Sequence, residues 1–172
     1  MTTFDYSTDA PLSLRVDVLV LPVFEGPEAG PGVKDVKGVD LLGLYRDAAL
    51  KGERGESLLV PNTGIDGLAA GSVLLVGLGK RAEAGVDAVR RAAGKVAHQL
   101  SKRGAVATTL AQAGGRSATD AVQAVVEGLT LGAYRFDRYK SKKDDPPALE
   151  RVTVLGSPRW DAKAAKAAIE RA

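Results

Sequence analysis

GLGKRA, at residues 77–82, has the spacing Gly-x-Gly-x-x-Gly/Ala after an apolar run. Glycines at Gly77 and Gly79 would let backbone N–H groups approach a diphosphate at a helix N-terminus, with Lys80 beside it. A dinucleotide site also needs an acidic residue about 20 positions on, after the next strand, to hold the ribose. Here that strand ends in Thr108, Thr109 and Leu110, which favours the structural reading, a tight strand-to-helix turn. A second set lies in EGLTLGAYRFDRYKSKK, at 127–143. Tyr134, Phe136 and Tyr139 are interleaved there with Arg135, Arg138 and Lys140, ahead of Lys142 and Lys143. Such a run could stack bases while its cations meet phosphates. It arrives where a helix of small apolar residues ends, however, and aromatics there commonly anchor a chain to its core or to a neighbour. Tyr134, Arg135, Phe136, Arg138 and Tyr139 are therefore the candidate seam with another domain or subunit.

The remaining reactive side chains form no constellation. His98 is the single histidine and there is no cysteine, so neither a His-rich nor a thiolate metal site can form. His98 sits two positions from both Val96 and Leu100, off the apolar stripe of its helix, and is expected at the surface. No serine has a Gly-x-Ser-x-Gly setting. Asp144 and Asp145 could share a metal, but neighbours in an extended loop point apart, and Lys142 and Lys143 stand next to them. No catalytic and no metal-binding residue is expected in this chain.

The elements that must position these groups alternate. LRVDVLVLPVF (14–24) reads as a strand covered on both faces, SLLVPN (57–62) and VLLVGLG (73–79) as further strands, and AVATTL (105–110) and RVTVLG (151–156) as the last two. Helices are expected over 40–50, from Val86 to Leu100 with Gly104 near its end, from a Ser117 cap with Asp120 in its first turn, and over 161–172. This alternation predicts an α/β fold, a three-layer αβα sandwich around a mixed, largely parallel sheet. With 172 residues, 45% apolar and 26% charged, the chain has the composition of one ordinary globule. It has no apolar run near the roughly 20 residues of a membrane span. MTTFDYSTDA has no signal-peptide pattern, so a cytoplasmic location is expected. The net charge of +3 is small, and the positive excess lies from residue 134 onward, a skew that could attract phosphate, although the usual meaning of a charge run is a solvated face.

VLLVGLGK (73–80), then a helix, a strand, EGLTLGAYRFDRYKSKK and RVTVLG, in that order, resemble the N-terminal domain of the leucyl (cytosol) aminopeptidase family across nearly the whole chain. The resemblance implies a macro-domain-like fold at 1–158, with 159–172 starting the helix that connects to a C-terminal catalytic domain. It implies homohexamers. It also implies a catalytic domain holding two divalent ions, zinc or manganese, that releases N-terminal residues from peptides by two-metal hydrolysis. The family's metal-binding signature, Asn-Thr-Asp-Ala-Glu-Gly-Arg, is nowhere in the sequence, so no cofactor is expected here. The expected role is that of a non-catalytic assembly or regulatory domain, whose partners are its own catalytic domain and further copies. A macro-like module for ADP-ribose or another nucleotide, and a DNA-binding accessory domain, are the alternatives. No membrane partner is expected.

Overall fold

The computed structural model describes residues 1–133 and 149–172. Its strands are β1 (Thr3–Ser7), β2 (Val18–Phe24), β3 (Glu28–Ala29), β4 (Ser57–Pro61), β5 (Ser72–Gly77), β6 (Ala105–Thr108) and β7 (Arg151–Leu155). Its helices are α1 (Leu41–Asp47), α2 (Val86–Leu100), α3 (Ala118–Ala133) and α4 (Ala162–Arg171). The strands lie in the order β1-β7-β6-β2-β5-β4, with β3 paired on β2. Pairing is parallel except for β4 on β5 and β3 on β2. The fold is α/β with a mixed, mostly parallel sheet and flanking helices, as the sequence leads one to expect.

β2 and β5 are buried along their whole lengths, which is why both read as unbroken apolar runs rather than alternations. Val18, Val20 and Phe24 face one layer with Leu74 and Val76, against the stripes of α2 and α3 and the buried Ala165 and Ala168 of α4. Leu19, Leu21 and Val23 face the other with Val73 and Leu75. That second layer includes Leu41 and Tyr45 of α1, Val33, Val36 and Leu68, with Leu12, Leu42, Leu50 and Ile65 among the partly buried side chains packed on it.

Pro22 argues against a central strand, because proline donates nothing to a ladder. The pairing of β2 with β6 ends at Val20–Thr108, and beyond it β3 pairs Val23 and Phe24. The Pro22 carbonyl accepts from Gly30 N–H at 3.0 Å on that side. The absent donor thus falls where the neighbouring strand has already changed.

Element ends shift modestly from expectation. β2 begins at Val18, after Asp17 has taken the Ala105 N–H on its carboxylate at 2.9 Å. α2 ends at Leu100 with Ser101 as its C-cap, and Gly104 lies beyond it, its carbonyl accepting from Glu150 and Arg151. β1 is an additional edge strand, parallel to β7. α3 opens as expected, the Ser117 hydroxyl accepting from Asp120 N–H at 3.3 Å.

Candidate functional site

The turn after β5 is occupied by the protein itself. Gly77 N–H donates to the Glu56 carbonyl at 2.9 Å, Leu78 N–H to Val23 at 2.9 Å, and Gly79 N–H to Gly52 at 2.8 Å. The three amides that would have cradled a diphosphate are all engaged. A Cβ at Gly77 would meet the Glu53 carbonyl, because the backbone of residues 52–56 passes directly over it. Gly79 has φ +81°, the left-handed region, with the Arg54 side chain packed across it. Lys80 is exposed. A short 3-10 turn at Arg81–Glu83 follows, and α2 opens only at Val86. Arg81 stacks over the Phe24 ring at 4.2 Å, donates to Glu28 at 2.9 Å and donates to the Ala29 carbonyl at 3.0 Å.

The loop over the turn is organised by one carboxylate. Glu56 Oε2 accepts from the N–H groups of Lys51, Gly52 and Glu53 at 3.0, 2.8 and 2.9 Å, and from the Tyr45 hydroxyl at 3.2 Å. Tyr45 is fully buried. Burial first, and then the charge and hydrogen bond of Glu56, push its phenol far above the usual value. KGERGES reads in sequence only as a polar turn. Its acidic residue is what fixes the wall of the β5 turn.

Concave regions lie both beside this loop and elsewhere among the described residues. The first, of about 210 Å³, lies between the Arg54–Gly55 turn and α2, lined also by Gly77, Ala88, Arg91, Ala92 and Lys95; a hollow lined by Arg54, Glu83, Asp87 and Arg91 adjoins it. The second, of about 350 Å³, is mainly apolar and runs between β1, the end of α3 and α4; Phe4, Val126, Leu129 and Ile169 line it. Ala133 and Leu149, the described residues that bracket 134–148, line it too. On the same end of α3, Leu131 is 71% exposed. The candidate seam residues Tyr134, Arg135, Phe136, Arg138 and Tyr139, and the pair Asp144 and Asp145, lie outside the described residues. His98 is exposed.

No group of three or more His, Cys, Asp or Glu among the described residues could hold a metal ion. No helix among them is long and apolar enough to cross a membrane. Tyr6 Oη is buried without a partner. It lies against Gly156, where a Cβ would collide with it, so it packs a strand end and does not address a cavity.

Comparison with known proteins assigns this framework. Residues 20–143 match the family model described as the cytosol aminopeptidase family, N-terminal domain. The chain belongs to the cytosol aminopeptidase family, as its N-terminal domain. A probable cytosol aminopeptidase of Syntrophotalea carbinolica is 40% identical over 170 residues, covering 94% of this chain and 34% of that protein. The chain thus spans about a third of that relative's length. Among solved structures, a tomato leucine aminopeptidase mutant superposes with a TM-score of 0.74 at 20% identity, over 99% of this chain and 35% of that one. At that identity the likeness speaks for the fold alone. The bottromycin maturation enzyme BotP in complex with Mn matches with a TM-score of 0.61 at 27% identity, over 88% of this chain and 28% of that chain.

Proposed function

We propose that this N-terminal domain is a non-catalytic accessory unit of a leucyl-aminopeptidase-like exopeptidase, one that releases N-terminal residues from peptides in the cytoplasm. The observation that carries the reading is coverage: a match along nearly the whole of this chain takes up only a third of the relative. The peptide-cleaving groups then lie in the other two thirds. The names of the relatives support a metal-dependent parent, and the Mn complex of the bottromycin enzyme supports manganese, with zinc as the other candidate. The described residues do not fit such a metal pair, since they offer no cluster of ligands.

In this reading the domain serves assembly and regulation. Tyr134, Arg135, Phe136, Arg138 and Tyr139 form the seam with the catalytic domain or with a neighbouring copy in a hexamer, and 159–172 start the helix that connects to the catalytic domain. The apolar groove beside Ala133 and Leu149 and the exposed Leu131 support a covered edge at this place. Purified 172-residue chain, supplied with manganese or zinc, is expected to release no nitroaniline from leucine p-nitroanilide. Turnover above the metal-only blank that co-purifies with the chain would overturn the accessory role. In a longer product carrying the catalytic domain, Tyr134→Ala with Phe136→Ala should dissociate the assembly on light-scattering chromatography. An unchanged hexamer would remove the seam from the proposal.

A further inference from the structure

The concave region between the Arg54–Gly55 turn and α2 gathers three cationic side chains, of which only Arg54 is paired with a carboxylate, that of Glu83. Arg91 and Lys95 are one helical turn apart on the same exposed face of α2. Arg54 reaches in from the opposite wall, and no acidic side chain lines the cavity. Elsewhere among the described residues, arginines that face a carboxylate pair with it. Arg81 is paired with Glu28, Arg46 with Asp40, and Arg90 with both Asp87 and Glu127. Arg54 contacts Glu83 at 3.3 Å, and Glu83 and Asp87 line an adjoining hollow that shares Arg54 and Arg91 with this one. Arg91 and Lys95 form no such pair among the described residues.

The hollow is built from backbone and small side chains. Gly77 and Gly55 contribute no Cβ, and Ala88 and Ala92 are the helix residues facing inward. The Lys95 side chain lies directly over Gly55, where a Cβ would stand 2.7 Å from its Nζ. Beyond it, Gln99 Nε2 donates to the Ser57 hydroxyl at 2.9 Å, tying α2 to β4 at that end. The wall opposite is the loop that Glu56 holds, so the cations converge on a fixed backbone. The volume of about 210 Å³ is below the roughly 300–1,000 Å³ of sites for drug-sized ligands. It suits a compact anion.

We propose that this cavity, walled by Arg54, Arg91 and Lys95, binds a small phosphoryl anion of diphosphate size. Arg91 and Lys95 are two unpaired cations beside the Glu83-paired Arg54, which calls for a ligand with more than one negative charge, and each phosphoryl group carries about −1.5 to −2 near neutral pH. The guanidinium forks of Arg54 and Arg91 match phosphoryl oxygens in pairs, and the Lys95 ammonium serves as a point charge. The site is separate from the glycine turn, whose amides are spent on the 52–56 backbone, and it stands independently of the accessory role proposed above.

The test is a titration of the ¹⁵N-labelled chain with sodium pyrophosphate, followed by amide shifts, with malonate as a dicarboxylate of comparable size. Saturable shifts are expected at Gly55, Ala88, Arg91, Ala92 and Lys95, with pyrophosphate bound more tightly than malonate. Arg91→Gln and Lys95→Gln should each weaken pyrophosphate by roughly tenfold or more, the worth of one charged hydrogen bond. Both residues are exposed, so the remaining spectrum should stay native. Lys163→Gln, on the distant surface of α4, should change nothing. Shifts that never saturate and follow every basic residue would overturn the proposal. So would equal weakening by Lys163→Gln, full affinity in the Arg91 and Lys95 variants, or malonate binding as tightly as pyrophosphate.

Discussion

The α2–α3 contact gives the sharpest test of how this domain is packed, because three helical glycines there differ in what stands above them. A Cβ on Gly128 would strike the Arg90 carbonyl and lie 2.8 Å from the Ala93 Cβ. A Cβ on Gly132 would strike the Gly94 carbonyl and lie 2.8 Å from the Ala97 Cβ. A Cβ on Gly94 would meet only the Gly128 carbonyl, at 3.3 Å. Replacing glycine with alanine inside a helix gains about 1 kcal/mol of propensity. At Gly94 the carbonyl has to yield by only a few tenths of an ångström, so Gly94→Ala should be neutral or stabilising by up to about 1 kcal/mol. At Gly128 the obstruction is backbone, which cannot rotate aside, and the helices must separate along a largely buried seam. Overpacking of that kind costs about 1–3 kcal/mol, occasionally more. Separation also stretches the Arg90–Glu127 pair, now at 2.8 Å. Set against the propensity gain, the net expectation for Gly128→Ala is a loss of about 1–2 kcal/mol, or about 2–8 °C in Tm for a chain of this size. Gly132→Ala should lose somewhat less, and the double variant should lose less than the sum, since one displacement relieves both collisions. Urea unfolding with a constant m-value would give these differences. If Gly128→Ala is as stable as Gly94→Ala, the close approach of the two helices is not what the glycines are for.

Three further outcomes follow from the polar framework. Glu56→Gln keeps the size but gives up the charge that receives three backbone N–H groups and a phenol. Charged hydrogen bonds contribute about 1.5–3 kcal/mol each but share one oxygen here, so a total loss of about 2–4 kcal/mol in urea unfolding is expected, with amide exchange quickened at Lys51–Glu53. Tyr45 has a raised folded-state value, so its contribution is complete below its ordinary value of 10.0 and disappears as pH rises beyond it. Tyr45→Phe should cost about 1 kcal/mol at neutral pH yet soften the alkaline fall in Tm, which pH-dependent melting would register. Glu127 is held low, first by the Gln123 amide and then by Arg90, with burial opposing. Its contribution is present above the usual carboxylate range and is lost as pH falls through its depressed value. Glu127→Gln should therefore flatten the acid limb of a Tm–pH curve while leaving the alkaline limb unchanged.

What the sequence makes legible depends on whether the signal is local. The runs at 18–24 and 72–77 announce buried parallel strands because both faces are apolar, and the stripes of α2 and α3 follow from period alone. The Ser117 cap needs only three residues to be read. β1 escapes notice because its five residues offer one weak alternation, Phe4 and Tyr6 inward, and its partner β7 lies at the other end of the chain. That alternation was the available signal. The reach of Glu56 is a different kind of omission. Its amide partners are near in sequence, but the Tyr45 hydroxyl and the Gly77 turn give the loop its place, and neither is implied by a polar Gly-rich stretch. The cationic cavity combines Arg54 with Arg91 and Lys95 from separate elements, and no spacing rule joins them.

The glycine-rich turn and the cationic cavity illustrate why residue type alone does not assign a phosphate site. Both contain glycine, lysine and arginine, and both touch Gly77. What separates them is the state of their donors. In the turn, the amides of Gly77, Leu78 and Gly79 already face carbonyls of neighbouring backbone, so an incoming anion would have to displace three hydrogen bonds and a loop fixed by a carboxylate. In the cavity, Arg91 and Lys95 form no ion pair among the described residues, and only Arg54 is engaged, by Glu83. A motif reports which donors the chain carries; whether they remain available is decided by the backbone that folds over them, and here residues 52–56 close one site while forming the wall of the other.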